Sequence, residues 1–234
     1  MSSAQQASVD AAKLAAARAA IGELPEAGVI GLGTGSTAKL FINLVGELVA
    51  NGRKFTGVPT SHASRTQAAA LGIPLLSDDG PWDIAVTVDG ADEVSSSLDL
   101  IKGGGGALTR EKIINYSSRR NIIIVDASKL SAQLGDKWAV PIEVLAFASL
   151  ATVQHLKKFG DPILRQKNGQ TFRTDSGNVI YDLACGAIAN PQPLDRALHD
   201  IPGVVETGLF LGRADLVLVA GADGVQRLEH GSGT

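Results

Sequence analysis

Three carboxylates follow one apolar run in Ile84-Ala-Val-Thr-Val-Asp-Gly-Ala-Asp-Glu93. The C-terminal end of a strand is where open α/β sheets collect their ligands. Crowded carboxylates resist ionising together, so one member of the Asp89/Asp92 pair can hold a transferable proton near neutrality. The same oxygens would suit a hard cation, and a solvated polar turn is the plain alternative. Glu93 is expected to point to solvent.

The segment Ile101-Lys-Gly-Gly-Gly-Gly-Ala-Leu-Thr-Arg-Glu-Lys112 carries more information. Successive glycines let a ligand approach the backbone, and their high ordering cost argues against an idle loop. Thr109 reads as the N-cap of a helix beginning at Arg110, which puts Glu111 in the first turn. There the helix dipole favours an ionised carboxylate, the state a general base needs. A lone first-turn glutamate more often just complements the dipole; Lys102 and the glycine run beside Glu111 favour the base.

Gly31-Leu-Gly-Thr-Gly-Ser-Thr37 follows another apolar run. It can aim backbone N–H groups and the hydroxyls of Thr34, Ser36 and Thr37 at an anion, as in a phosphate or sugar-phosphate loop. A dinucleotide fingerprint fits poorly. Ser36 stands at the third glycine position, and Pro59-Thr60-Ser61 offers no acidic group for a ribose. Asp126-Ala-Ser-Lys129 adds a cation after a further apolar run. His62, His155, His199 and His230 lack metal-ligand spacing and read as surface or satisfied structural residues. Trp82 and Trp138 read as packing residues, and Cys185 lacks a nearby histidine partner for nucleophilic work.

These residues need a scaffold, and the periodicities supply one. Val29–Leu32, Phe55–Val58, Ile73–Leu76, Ile84–Val88 and Ile122–Val125 read as buried strands. A helix places Leu40, Phe41, Leu44, Val45 and Leu48 on one face, and a second follows Ser61 and ends at Gly72. The expected fold class is α/β, a Rossmann-like, mainly parallel sheet with helices on both faces. Beyond Lys129 the rhythm changes. Strands are expected at Val140–Val144, Ile163–Arg165 and Val179–Leu183, with helices at Ser149–Phe159 and Asp195–Ile201 and a return at Val204-Val205. Turns are expected at Asn168-Gly169 and Ser176-Gly177-Asn178. This is a small α+β (ferredoxin-like) subdomain. Leu216–Ala220 then rejoins the first sheet. The division is 1–130 with 206–234 for the α/β catalytic domain and 131–205 for the subdomain, which is expected to contribute to oligomerisation.

Composition sets outer bounds. The 234 residues are 44% hydrophobic with net charge -3, giving no basic excess for nucleic acid. Cys185 is the one cysteine, which suits a reducing compartment. No apolar run is long enough to span a bilayer, and the Ala-rich start is broken by Asp10, Lys13 and Arg18, so a first helix is expected rather than a signal peptide. A cytoplasmic protein binding neither membrane nor nucleic acid follows, with organellar targeting not indicated. The tail from His230 to Thr234 reads as frayed.

Taken together, Gly33-Thr-Gly-Ser-Thr37, Val88-Asp-Gly-Ala-Asp-Glu93, Lys102-Gly-Gly-Gly, Leu108-Thr-Arg-Glu-Lys112 and Asp126-Ala-Ser-Lys129 occur in an order and spacing that resembles the ribose-5-phosphate isomerase A family. Ile201-Pro-Gly-Val-Val205 and Thr207-Gly-Leu-Phe210 resemble its later segment. The resemblance implies a two-domain enzyme, a homodimer or homotetramer, that needs no cofactor and no metal. It would interconvert D-ribose 5-phosphate and D-ribulose 5-phosphate through an enediolate, in the non-oxidative pentose phosphate pathway. Glu111 matches the general base. Asp89, Asp92 and Lys102 match residues that hold the sugar hydroxyls and assist ring opening and oxygen protonation. Thr34, Gly35, Ser36, Thr37, Gly90, Ala91, Gly103, Gly104, Gly105 and Lys129 match the other substrate contacts. Gly106 departs from the alanine expected there, and Ala222-Asp-Gly-Val225 from a version bearing threonine or proline. The rivals are a non-catalytic sugar-phosphate sensor, which would have no need of Glu111, and a deaminase or coenzyme A transferase on a related fold.

Overall fold

Apolar runs with no polar alternation become parallel strands, because both of their faces are buried. In the computed structural model, which describes residues 3–229, this pattern builds the central sheet. Helix α1 (Ser3–Ile21) leads to β1 (Ala27–Leu32), α2 (Ser36–Ala50), β2 (Lys54–Pro59), α3 (His62–Ala70) and β3 (Ile84–Asp89). Short strands β4 (Glu93–Val94) and β5 (Leu100–Ile101) precede α4 (Leu108–Tyr116) and β6 (Asn121–Asp126). Next come β7 (Val140–Val144), α5 (Ser149–Leu156), β8 (Asp161–Leu164), β9 (Gln166–Lys167) and β10 (Gln170–Thr171). The chain continues through β11 (Val179–Ala184), α6 (Pro191–His199), β12 (Val204–Thr207), β13 (Leu209–Phe210), β14 (Leu216–Gly221) and β15 (Gly224–Leu228). The tail from His230 lies outside the described residues.

Among the described residues two units are distinguished: those up to 91, 113–129 and those from 213 onward form the first, and 92–112 with 130–212 the second. The first holds a six-stranded sheet in the order β15-β14-β6-β3-β1-β2. All its pairings are parallel except β14 with β15. Leu216–Ala220 rejoins this sheet as expected, in register with Ile122–Asp126. Ala16, Ala17 and Ala20 of α1 and Phe41, Ile42 and Val45 of α2 pack with Ile30, Leu32, Val86, Val88, Ile122 and Ile124. The buried face of α2 is thus centred on Phe41, Ile42 and Val45, and Leu40, Leu44 and Leu48 flank it half-buried.

The second unit holds a four-stranded antiparallel sheet, β12-β7-β11-β8, with α5 and α6. Its core includes Val140, Ile142, Val144, Val153, Leu156, Leu183 and Leu198. A three-stranded sheet β13-β5-β4 and the hairpin β9–β10 complete it. Asn168 and Gly169, the expected turn, take φ values of 53° and 76°.

Some expectations need correction. Ile73–Leu76 is no strand. It makes one bridge, Gly57 with Leu75, because Pro74 has no N–H to extend a ladder. Helix α4 begins at Leu108, so Thr109 is inside the first turn rather than capping it. Glu93 does not face solvent: it is fully buried and accepts the N–H groups of Gly135 and Lys137 at 2.9 and 3.1 Å. Trp138, expected in packing, is 38% exposed. Helix α5 stops at Leu156, short of Phe159, and α6 starts earlier than expected, with Pro191 at its opening. Among the described residues no helix is long and apolar enough to cross a membrane.

Candidate active site

In the first unit, parallel pairing brings the C-terminal ends of β1, β3 and β6 to one edge of the sheet. Those ends carry Gly33–Thr37, Asp89 to Ala91 and Asp126–Lys129. Asp89 is buried, and its Oδ1 accepts the N–H of Thr34 at 2.9 Å and of Gly90 at 2.8 Å. The approach is possible because residue 33 is glycine: a Cβ there would stand 2.2 Å from Asp89 Oδ1 and 2.6 Å from Asp89 Cα. Thr34 Oγ1 lies 2.7 Å from Thr60 Oγ1, donates to Ser61 Oγ at 2.8 Å and meets Ser64 Oγ at 3.2 Å. Ser64 in turn donates to Gly33 O at 2.7 Å. A hydroxyl cluster therefore sets the loop, and Ser61 also caps α3 by accepting Ser64 N–H. Gly35 precedes α2 with no side-chain cap, so the N–H groups of Ser36, Thr37 and Ala38 open the helix without intrahelical acceptors. Asp126 accepts the backbone and side chain of Ser128, fixing the turn Ala127–Lys129 and with it the half-buried Lys129.

In the second unit lie Asp92, Lys102, Gly103, Gly104, Gly105 and Glu111. Lys102 Nζ and Glu111 Oε2 are 3.2 Å apart, and each side chain is only 3% exposed. Glu111 occupies the first turn of α4 and donates its N–H to Ala107 O at 2.9 Å. Lys102 is fixed through its own N–H, which reaches Gly208 O at 2.9 Å. The buried ring of Phe210 has its centroid 5.3 Å from Lys102 Nζ and 4.9 Å from Lys112 Nζ. Cations over a ring face are attracted by its quadrupole. Asp92 Oδ2 accepts the N–H of Gly104 at 2.7 Å, which ties this carboxylate to the glycine turn. The arrangement offers a carboxylate beside an ammonium in a water-poor setting, where charge developing on a substrate oxygen is most strongly stabilised.

Supporting residues escaped sequence reasoning. Glu143 of β7 is buried and accepts Thr109 Oγ1 at 2.6 Å, Thr174 Oγ1 at 2.9 Å and Asn178 Nδ2 at 2.9 Å. It fastens the start of the helix that carries Glu111. A lone charged residue inside the otherwise apolar Val140–Val144 was the available signal. Lys112 donates to Glu206 Oε1 at 2.6 Å and to Thr207 O at 2.8 Å. His199 Nε2 shares that Glu206 oxygen at 2.8 Å. Burial would raise the Glu206 pKa, but the His199 hydrogen bond and the Lys112 ammonium overcome it and hold the carboxyl at about 2. Burial pushes the Cys185 thiol up, away from a reactive thiolate. Among the described residues, no three or more His, Cys, Asp or Glu side chains group as a metal site requires.

Comparison with known proteins agrees with these motifs. The family model described as ribose 5-phosphate isomerase A (phosphoriboisomerase A) matches residues 56–224. Ribose-5-phosphate isomerase A of Gloeobacter violaceus is 46% identical over 222 residues, covering 94% of this chain and 96% of that protein. A D-ribose-5-phosphate isomerase solved in complex with phospho-erythronic acid is 42% identical with a TM-score of 0.90, covering 94% of this chain and 99% of its own. The enzyme of Methanocaldococcus jannaschii is 38% identical with a TM-score of 0.88, covering 93% and 98%.

Proposed function

The chain belongs to the ribose-5-phosphate isomerase A family and interconverts ribose 5-phosphate and ribulose 5-phosphate; from this premise we propose how its side chains divide the reaction. The observation that carries the proposal is the buried contact of Lys102 with Glu111 at 3.2 Å. Glu111 removes the proton from C2 of the opened aldose. The C–H electron pair forms the C1–C2 double bond, and the carbonyl pair moves onto O1, where Lys102 stabilises the charge. The O2 hydrogen passes to O1, with Asp89 or Asp92 as relay, so that the O2–H pair closes the ketone at C2 while the C1–C2 double-bond pair takes the proton back from Glu111 at C1. Asp89 and Asp92 hold sugar hydroxyls and assist ring opening and oxygen protonation. Thr34, Gly35, Ser36, Thr37, Gly90, Ala91, Gly103, Gly104, Gly105 and Lys129 hold and orient the substrate, the α2 N-terminus offering N–H groups to an anion.

We further propose a cytoplasmic homodimer or homotetramer, with residues 131–205 contributing to assembly. Phe147 and Leu150 there, 88% and 72% exposed, support that role. For the chemistry, chelator-treated protein is mixed with ribose 5-phosphate and ribulose 5-phosphate is followed by NMR. Glu111→Gln is expected to abolish nearly all turnover while leaving phospho-erythronic acid binding intact, because it removes the base and little volume. Full turnover in that variant would end the assignment of Glu111.

A further inference from the structure

A run of glycines has more freedom to lose than any other stretch of chain, so a fixed conformation there needs restraint from outside. Arg165 supplies it. Its backbone is held on two sides: its N–H donates to Ile180 O at 2.9 Å, and its carbonyl accepts from Phe172 N–H at 3.0 Å. From that fixed origin the guanidinium forks. Nε donates to Asp182 Oδ2 at 2.9 Å and Nη2 donates to Asp182 Oδ1. Nη1 is thereby aimed at the glycine turn, donating to Gly103 O at 2.7 Å and Gly104 O at 3.3 Å. The side chains of Arg165 and Asp182 are 13% and 27% exposed, shielded enough for charge-assisted bonds to retain strength.

The same turn is closed by Gly106 N–H on Gly103 O at 2.9 Å. Gly106 has a φ of +84°, and a Cβ there would stand 2.3 Å from Phe172 Cζ. Glycine at position 106 therefore makes room for a ring seven residues along from Arg165 in the chain.

We infer that Arg165 is a positioning residue for the isomerisation. It fixes the carbonyls of Gly103 and Gly104, so that the turn adjoining Lys102 is set before the sugar phosphate arrives. The inference rests on Gly103, Gly104 and Gly105 being substrate contacts. Arg165 acts through that turn and not on the reacting carbons.

The test compares Arg165→Ala and Arg165→Lys in the full chain with ribose 5-phosphate, alongside Glu111→Gln. Arg165→Ala is expected to lower kcat/KM by about 10- to 100-fold, the worth of a charge-assisted bond, with most of the loss in kcat. Guanidinium at a sub-denaturing concentration should restore much of that loss without speeding the parent. Arg165→Lys should fall between, because an ammonium cannot reproduce the fork. An arginine serving stability alone would lower the melting temperature and show no rescue of kcat. A folded Arg165→Ala with kcat/KM within about twofold of the parent, or a deficient one that guanidinium leaves unchanged, overturns the inference. Should Arg165→Ala not fold, Arg165→Lys carries the test, and parental kcat/KM there overturns it equally. Turnover retained by Glu111→Gln would instead refute the site assignment, leaving the two failures distinguishable.

Discussion

The loop after β1 and the segment from Lys102 to Lys112 hold their polar groups by opposite means. Thr34 is placed by three neutral hydroxyls and by a backbone bond to Asp89. Neutral hydrogen bonds contribute about 0.5–1.5 kcal/mol each and do not titrate near neutrality. Lys102 and Glu111 are instead a buried ion pair, and Lys112 beside them is held by Glu206. Removing one partner of a buried pair strands a charge at a cost of about 3–5 kcal/mol. The difference teaches which region tolerates change: the hydroxyl-set loop should report mainly in binding, and the ionic segment in chemistry, stability and pH response.

The sharpest way to break that contrast is Lys102→Met. It should cost about 3–5 kcal/mol of stability, or force Glu111 to take up a proton, and lower kcat by about 10²- to 10³-fold. Chemical denaturation and steady-state kinetics read both; parental values would erase the distinction. Acid titration comes next. Glu206 has a folded pKa of about 2 against 4.5, a lowered value, so its stabilisation is fully present above pH 4.5 and is lost as pH falls towards 2. The loss should reach about 3 kcal/mol in urea unfolding, and Glu206→Gln should flatten that limb.

On the other side of the comparison, Gly33→Ala pushes a methyl into Asp89 and should destabilise by about 1–3 kcal/mol while raising KM more than it lowers kcat. A dominant kcat loss would show that displacing Asp89 reaches its proton-transfer role before it reaches its hold on the sugar. The smallest effect belongs to His199. Its hydrogen bond to Glu206 raises its pKa against the opposing effect of burial, so its stabilisation is fully present below pH 6.5 and declines as pH rises through the folded value. His199→Gln should remove this shallow slope, read as the melting temperature across pH 6 to 9, with no large change in kcat.

Much of the scaffold was legible because its strands are locally apolar. Val140–Val144 has the bounds its composition implies, and Leu216–Ala220 pairs with β6 because an unbroken apolar run suits a strand covered on both faces. Ile73–Leu76 misled for the same reason: hydrophobicity does not register the N–H that Pro74 lacks. The residues assigned to chemistry sit in contiguous motifs, so the contact of Glu111 with Lys102 nine positions away could be anticipated as a neighbourhood. Their supports could not. Glu143 reaches Thr109 across 34 positions and Arg165 reaches Gly103 across 62, pairings that exist only once the sheet has formed. Glu93 shows the limit from the other direction: a carboxylate in a polar cluster reads as solvated, yet backbone N–H groups more than forty positions away claim it.

The antiparallel strand β15 has a consequence for solubility. Leu216–Ala220 of β14 is wholly buried, and β15 covers its outer side. Left bare, such an apolar border would template pairing with other chains. The rim actually presented carries exposed Gln226 and Arg227, the latter ion-paired with Glu23 and Glu229. Trimming the chain before Gly224 would therefore trade a charged rim for a sticky one, and aggregation rather than loss of turnover would be its first symptom.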